Sequence, residues 1–196
     1  MTRLFDWCGG NAGKSIEELS DILRQPSAVV LLPTETVYGL SGRVSDPGCA
    51  EKIFLLKHRD PAKHLGWFVP DIETLERSGG VLNDTARHLA EKYMPGPLTL
   101  IVNNTSGGTT GFRIPDHPLL LELLKRLNEP LYQTSANRSG FPDAVSCDAA
   151  LAMLNGTVDA AVDGGVILNP TASTIVDCTQ EIPKVLRQGI LKIEEL

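Results

Sequence analysis

The sequence predicts an α/β fold of α+β character, in which one twisted, mixed sheet carries helices packed against it. Three observations predict it. Residues 28–32 (AVVLL) form a continuous, apolar run rich in β-branched residues, the pattern of a strand buried on both faces. Strand-like and helix-like segments are interspersed along the chain. The closing strands, however, are short and lack crossover helices, which favours a mixed sheet over a purely parallel one. No repeat, low-complexity segment or composition break interrupts the chain, so residues 1–196 are expected to form a single domain.

The elements follow in order. Gly9 to Ser15 end like a phosphate-binding P-loop, but that pattern needs a glycine five residues before Gly13, where Cys8 stands. Residues 3–7 also make a poor strand to precede one. A helix explains the stretch better: Ser15 and Glu18 form a capping box, and Ile16, Leu19, Ile22 and Leu23 share one face. Pro33 ends the central strand because it has no N–H to donate. Thr34, Glu35, Thr36 and Tyr38 follow at its carboxyl end, where open α/β sheets place their ligands. Asp46 and Pro47 read as N-cap and first residue of a helix with Cys49, Ala50, Ile53, Phe54 and Leu56 on its apolar face. It delivers Lys57-His58-Arg59, by itself an ordinary solvated helix end. Residues 65–69 read as a strand, and 72–77 and 83–94 as helices, the second stopped by Pro95-Gly96-Pro97. Strands are expected over 98–103 and 109–114 around a Ser106-Gly107-Gly108 turn, and Pro118 opens a helix with His117 at its N-terminus. A short strand over 130–134 runs into Ser135-Ala136-Asn137, and Ser146 caps a helix over 146–154. Strands over 160–162, 174–177 and 184–186 close the chain.

Composition narrows the function classes. Apolar residues make up 42% and charged residues 21%, ordinary for a globular chain. No run approaches a transmembrane span, and the N-terminus lacks the apolar stretch of a signal peptide. Cys8, Cys49, Cys147 and Cys178 are spread out without metal-ligand spacing, so reduced thiols in a cytoplasmic setting are expected. A net charge of −6 argues against a general nucleic-acid binder, although a local basic groove is compatible with it.

Four polar clusters stand at predicted strand ends or turns: Thr34–Tyr38, Lys57 with Arg59, Ser135 with Asn137, and Ser173 with Thr174. Arg113 and Arg187 end strands beside a proline or a glycine. A lysine and arginines gathered round one cavity suit a polyanion such as a nucleoside triphosphate. His58, His64, His88 and His117 share no zinc-like spacing, and no Gly-x-Ser-x-Gly elbow supports a serine nucleophile.

With these residues in view, the chain resembles the YrdC/TsaC family of threonylcarbamoyl-AMP synthases. The likeness rests on PTETVYGL, Lys57-x-Arg59, MPGPLTL at 94–100, FRIPDHPL at 112–119, TSANRSG at 134–140, STIVD at 173–177 and VLRQG at 185–189. It implies a twisted mixed sheet around an open cavity, in the short single-domain form. It implies that L-threonine, bicarbonate and ATP, with Mg²⁺ but no permanently bound metal, give L-threonylcarbamoyl-adenylate and pyrophosphate. A separate downstream transferase would then use the product for N6-threonylcarbamoylation of adenosine 37 in tRNA, to which this chain could also bind. Carried over by motif, Thr34, Thr36 and Arg113 would meet threonine, with Ser173 between the substrates. Lys57 and Arg59 would face phosphates and carbamate as catalytic residues, while Arg59, Ser135, Asn137 and Arg187 would hold ATP.

Two positions depart from the family pattern. Trp67-Phe68-Val69 stand where relatives often carry a histidine, and Asp143 where many have a small hydroxyl residue. The main alternative is a double-stranded RNA or tRNA-binding module of the same fold without synthase activity, against which stand the charge of −6 and the joint presence of Lys57-x-Arg59 and Ser135-x-Asn137. Carbamoyl transfer in hydrogenase maturation is the other, and it would need a longer chain with zinc-finger motifs.

Overall fold

Val30 and Leu32 face one way from the central strand, and Val29 and Leu31 the other. The first pair packs with Ile16, Leu19 and Leu23 and with Leu120, Leu123, Leu124 and Leu127. The second pair packs with Leu40, Cys49, Ile53 and Leu56 and with Cys147 and Ala150. The unbroken apolar run thus reflects helices on both faces of the sheet. A third cluster joins Leu75, Leu89 and Ala90 to Leu98, Leu100, Phe112 and Val176.

This arrangement comes from a computed structural model that describes residues 1–9 and 12–193. Gly10 and Asn11, of the stretch that resembles a P-loop, lie outside the described residues. The first half of the chain runs β1 (Arg3–Asp6), α1 (Ala12–Leu23), β2 (Val30–Leu32), β3 (Gly39–Ser41), α2 (Pro47–Lys57), β4 (Gly66–Phe68), α3 (Ile72–Arg77), β5 (Gly80–Val81) and α4 (Asp84–Tyr93). The second runs β6 (Leu98–Asn104), β7 (Thr109–Arg113), α5 (Pro118–Leu127), β8 (Leu131–Ser135), α6 (Cys147–Met153), β9 (Ala160–Asp163), β10 (Thr174–Asp177) and β11 (Lys184–Arg187).

Among the described residues the strands form one mixed sheet in the order β1-β9-β2-β3-β8-β4-β7-β6-β10-β11, with β5 added alongside β6. β9 runs parallel to both β1 and β2, and β10 parallel to β6. β8 is the joint of the sheet. It pairs antiparallel with β3 through Gly39↔Ser135 and with β4 through Gly66↔Gln133. β4 is parallel to β7 but antiparallel to β8, so β7 and β8 run in opposite directions, yet residues from the carboxyl ends of β7, β8 and β11 and from the segment after β2 line one cavity.

Local capping sets the helix starts. Asp46 accepts from Gly48 N at 3.0 Å, Asn83 from Ala86 N at 2.8 Å and Ser146 from Ala149 N at 3.2 Å. His117 plays the same part at α5, its Nδ1 accepting from Leu120 N at 3.3 Å. Two expectations are corrected. α1 begins at Ala12, so Ser15 lies inside the helix, and Glu18 is engaged by Arg3 and Lys14 instead of closing a capping box. Residues 3–6 do form a strand: parallel pairing with β9 recruits them at the sheet edge, where alternation is not needed. Cys8, Cys49, Cys147 and Cys178 are free. Among the described residues no helix is long and apolar enough to cross a membrane.

Candidate active site

The turn after β2 is built by hydroxyls. Thr34 Oγ1 accepts from the N–H groups of Thr36 (3.1 Å) and Val37 (3.2 Å), and donates to Val37 O at 2.7 Å. It also lies 2.9 Å from Thr36 Oγ1. Pro33 frees the chain from the ladder, and this side-chain turn takes over the backbone donors. Thr36 Oγ1 in turn accepts from Arg113 Nη1 at 3.0 Å, across 77 residues of sequence.

Arg113, at the end of β7, is almost wholly buried. Its Nε donates to Gly96 O at 3.0 Å, and its guanidinium carbon lies 6.0 Å from the centre of the Phe68 ring. Its remaining nitrogen forms an ion pair with Glu35. Burial pulls the guanidinium's pKa down, and the Glu35 charge opposes that shift. Phe68 is the register partner of Arg113 in the parallel β4–β7 pair, which sets its ring beside the guanidinium while it packs into the core with Leu120, Leu123 and Leu131.

Lys57 is also buried, with 1% of its surface exposed. Its ammonium donates to Ser135 O, to Asn137 O (2.7 Å) and to Asn137 Oδ1 (3.2 Å). Those acceptors account for all three protons. Asn137 Oδ1 takes a further bond from Ser135 Oγ at 2.5 Å, and its Nδ2 donates to Phe141 O at 2.5 Å. Lys57 and Asn137 therefore lie beneath the loop after β8 and hold its shape, rather than lining the cavity above it. Burial, with the nearby Arg59 charge, pushes the Lys57 ammonium down to about 8, against the attraction of Asp143. Arg59 does line the cavity. Its Nη2 donates to His64 O at 3.0 Å, while its buried Nε has no hydrogen-bond partner among the described residues.

Ser173 stands just before β10, next to β6. Its Oγ is 2.9 Å from Thr99 Oγ1 and accepts from Arg187 Nη2 at 3.2 Å. The Ser173 carbonyl also receives Arg187 Nε and Nη2, at 3.1 and 2.9 Å. Thr99 and Arg187 can reach it because β10 lies between their strands, with Ile175 paired to both.

These segments enclose a polar cavity of about 250 Å³, lined by Thr34, Thr36, Arg59, Arg113, Ser135, Ser173 and Arg187 from the sequence-derived set. That volume is below the ~300–1,000 Å³ of pockets that bury a drug-sized ligand. A cavity of that size suits a small polar ligand. Three guanidinium groups and the single carboxylate of Asp143 on the wall leave it cationic.

Sequence reasoning gave no role to Thr99, His64 or Gln133, and took Glu35 only as a member of the Thr34–Tyr38 cluster. Gln133 lines the cavity with a buried Oε1 that has no hydrogen-bond partner among the described residues. Gly66 opposite makes room for it, since a Cβ there would stand 3.2 Å from that oxygen. Thr99 and Gln133 each sit in or beside a quoted motif, which was the available signal.

Comparison with known proteins places this geometry. A protein named threonylcarbamoyl-AMP synthase from Bacillus subtilis is 34% identical over 191 residues, 92% of this chain and 55% of the relative. One of the same name from Pyrococcus abyssi is 33% identical over 86% of this chain and 52% of its own length. The chain thus spans about half the length of these relatives. A crystal structure of P. abyssi Sua5 complexed with L-threonine superposes with a TM-score of 0.86 at 28% identity, covering 96% of this chain and 57% of that one. The family model for Sua5, YciO and YrdC, described as telomere recombination, matches residues 22–189. That span runs from the end of α1 to just past Arg187 and takes in every residue of the cavity wall, so the chain belongs to the Sua5/YciO/YrdC family.

Proposed function

We propose that this chain is an L-threonylcarbamoyladenylate synthase, a nucleotidyltransferase that consumes L-threonine, bicarbonate and ATP and releases pyrophosphate. The observation that carries the reading is the convergence of Arg59, Arg113 and Arg187 with Thr34, Thr36, Ser135 and Ser173 on one small polar cavity. The relatives' names and the threonine complex of the P. abyssi protein support it.

Threonine occupies the end formed by Thr34, Thr36 and Arg113, where a buried guanidinium meets its carboxylate and a hydroxyl meets its own. ATP lies across Ser135, Arg59 and Arg187, with Ser173 between the two substrates. Lys57 and Asn137 act on the nucleotide side by fixing the loop that presents Ser135. The amine of threonine first loses a proton and condenses with bicarbonate, a C–N bond forming as water leaves, and the resulting carbamate is already an anion. One of its oxygens attacks the α-phosphorus of ATP, an O–P bond forms, the bond to the β-phosphate oxygen breaks, and pyrophosphate leaves with the electron pair. No proton has to be removed from the nucleophile, so the residues needed are positioned cations and hydrogen-bond donors.

Among the described residues no group of three His, Cys, Asp or Glu side chains could hold a metal. Mg²⁺ would arrive with the triphosphate, and Asp143 is the carboxylate that the cavity wall offers it. The ion's contribution there would be to neutralise phosphate charge. We place the reaction in the cytoplasm, ahead of a separate tRNA threonylcarbamoyl-transferase. The test is adenylate formation with each substrate omitted in turn. Product is expected only when threonine, bicarbonate and ATP are all present, and product without threonine would overturn the assignment.

A further inference from the structure

Arg113 is held on three sides, by Gly96 O, by Thr36 Oγ1 and by the Phe68 ring. Its fourth neighbour is Glu35, which stands between Thr34 and Thr36 in the turn that lines the cavity. The two members of this ion pair differ in one respect. The Arg113 side chain is 2% exposed, whereas that of Glu35 is 19% exposed. Arg113 meets the cavity with almost none of its surface, so its charge depends on a counter-ion, whereas Glu35 can exchange its partner for solvent. Glu35 is also incompletely satisfied where it lies. Its Oε1 accepts from Asp116 N at 2.9 Å, but its buried Oε2 has no hydrogen-bond partner among the described residues.

We propose that Glu35 is an internal stand-in for the substrate carboxylate, neutralising Arg113 and competing with threonine for it. The inference rests on the reading above, in which Arg113 receives that carboxylate. It makes Glu35 a positioning and specificity residue rather than a catalytic one. A ligand carboxylate has to displace Glu35 or share Arg113 with it, and part of its binding energy offsets the broken pair. The Glu35 Oε1 that pairs with Arg113 is the same atom that accepts from Asp116 N, on the chain leading into α5, and that bond keeps Glu35 in place when a ligand carboxylate takes its share of Arg113. A ligand without a carboxylate gains nothing from Arg113, and the internal pair stays closed against it.

The test is calorimetric titration of Glu35→Gln with L-threonine, with L-threoninol, which has a hydroxymethyl group in place of the carboxylate, and with ATP. Removing the competing charge is expected to tighten threonine about tenfold, toward the low end of what a close charge pair contributes. Threoninol and ATP affinities stay unchanged. Glu35→Asp keeps the charge but withdraws it by one methylene, and an intermediate gain is expected there, which keeps the proposal testable should the glutamine variant fold poorly. Unchanged or weaker threonine binding in a folded variant overturns it. Arg113→Met separates the two levels. If it leaves threonine binding intact, the placement of the carboxylate on Arg113 fails; if it abolishes binding while Glu35→Gln brings no gain, only the role given to Glu35 fails.

Discussion

Replacing Lys57 by alanine is expected to lower adenylate formation by roughly a hundredfold, although its ammonium does not line the cavity. The effect runs through the loop after β8. Lys57 donates to Ser135 O, Asn137 O and Asn137 Oδ1, and without it these buried acceptors lose a shared donor. The loop then relaxes and Ser135 leaves its place on the cavity wall. A displacement of about 1 Å in a positioning group is enough for a loss of that size. Steady-state kinetics on a variant whose fold is checked by circular dichroism measures it, and wild-type turnover would remove the loop from the account.

The same residue predicts a pH dependence. Burial pushes the Lys57 ammonium down to about 8 from its ordinary 10.5, so it is charged at neutral pH and sheds a proton as pH rises through about 8. Turnover should then decline, because one of the three bonds to the loop is lost. Stability moves the other way. Between the folded and unfolded pKa values the unfolded chain binds the extra proton, so the contribution of Lys57 to stability is present above about 10.5 and is lost as pH falls through about 8. A decline in rate near pH 8 is therefore expected without unfolding, and urea midpoints recorded beside the rates distinguish the two.

The second large effect is expected at Arg59. Its guanidinium lines the cavity, is tied at one end to His64 O and keeps a buried Nε without a partner. Removing a charged donor aimed at developing charge costs roughly a hundred- to thousandfold in turnover. Arg59→Ala should reach that range with little change in stability, since the side chain is only half-buried and ties down no other element. Kinetics and thermal denaturation on the same preparation decide it. Unaltered turnover would exclude Arg59 from the site, and a loss of fold would make its role structural.

The difference between these two neighbours marks what could be read in the sequence. Lys57-His58-Arg59 has the composition of a solvated helix end, and nothing in that composition separates a buried lysine from a cavity-lining arginine. The distinction arises because β8 brings the carbonyls of Ser135 and Asn137 over the last turn of α2. That contact spans about 80 residues of sequence. Local features were legible because local chemistry creates them. Asp46 and Ser146, read as N-caps, and His117, read at a helix N-terminus, cap their helices with bonds to residues two or three positions ahead. β2 is legible through its two-sided burial, although the apolar run begins at Ala28 and the strand only at Val30.

β1, β3 and β5 were not legible. β1 and β5 take their order from a neighbouring strand, and Gly39–Ser41 carries too few apolar residues to announce a strand without β2 and β8 beside it. In the site, the motifs marked which segments matter but not which atoms face the ligand. Asn137 proved to be a staple within its loop, and Glu35, in the middle of the first motif, proved to be the partner of Arg113.

The central claim is that threonine carbamate, and not threonine's own carboxylate, attacks the α-phosphorus. Arg113 bears on that choice, since a carboxylate held by its guanidinium is kept from the reacting centre. Exchange of labelled pyrophosphate into ATP, in degassed buffer with threonine and bicarbonate added separately and together, tests the claim most directly. The account predicts exchange only when both are present. Robust exchange with threonine alone in bicarbonate-free buffer would contradict it and leave an enzyme that activates the amino-acid carboxylate.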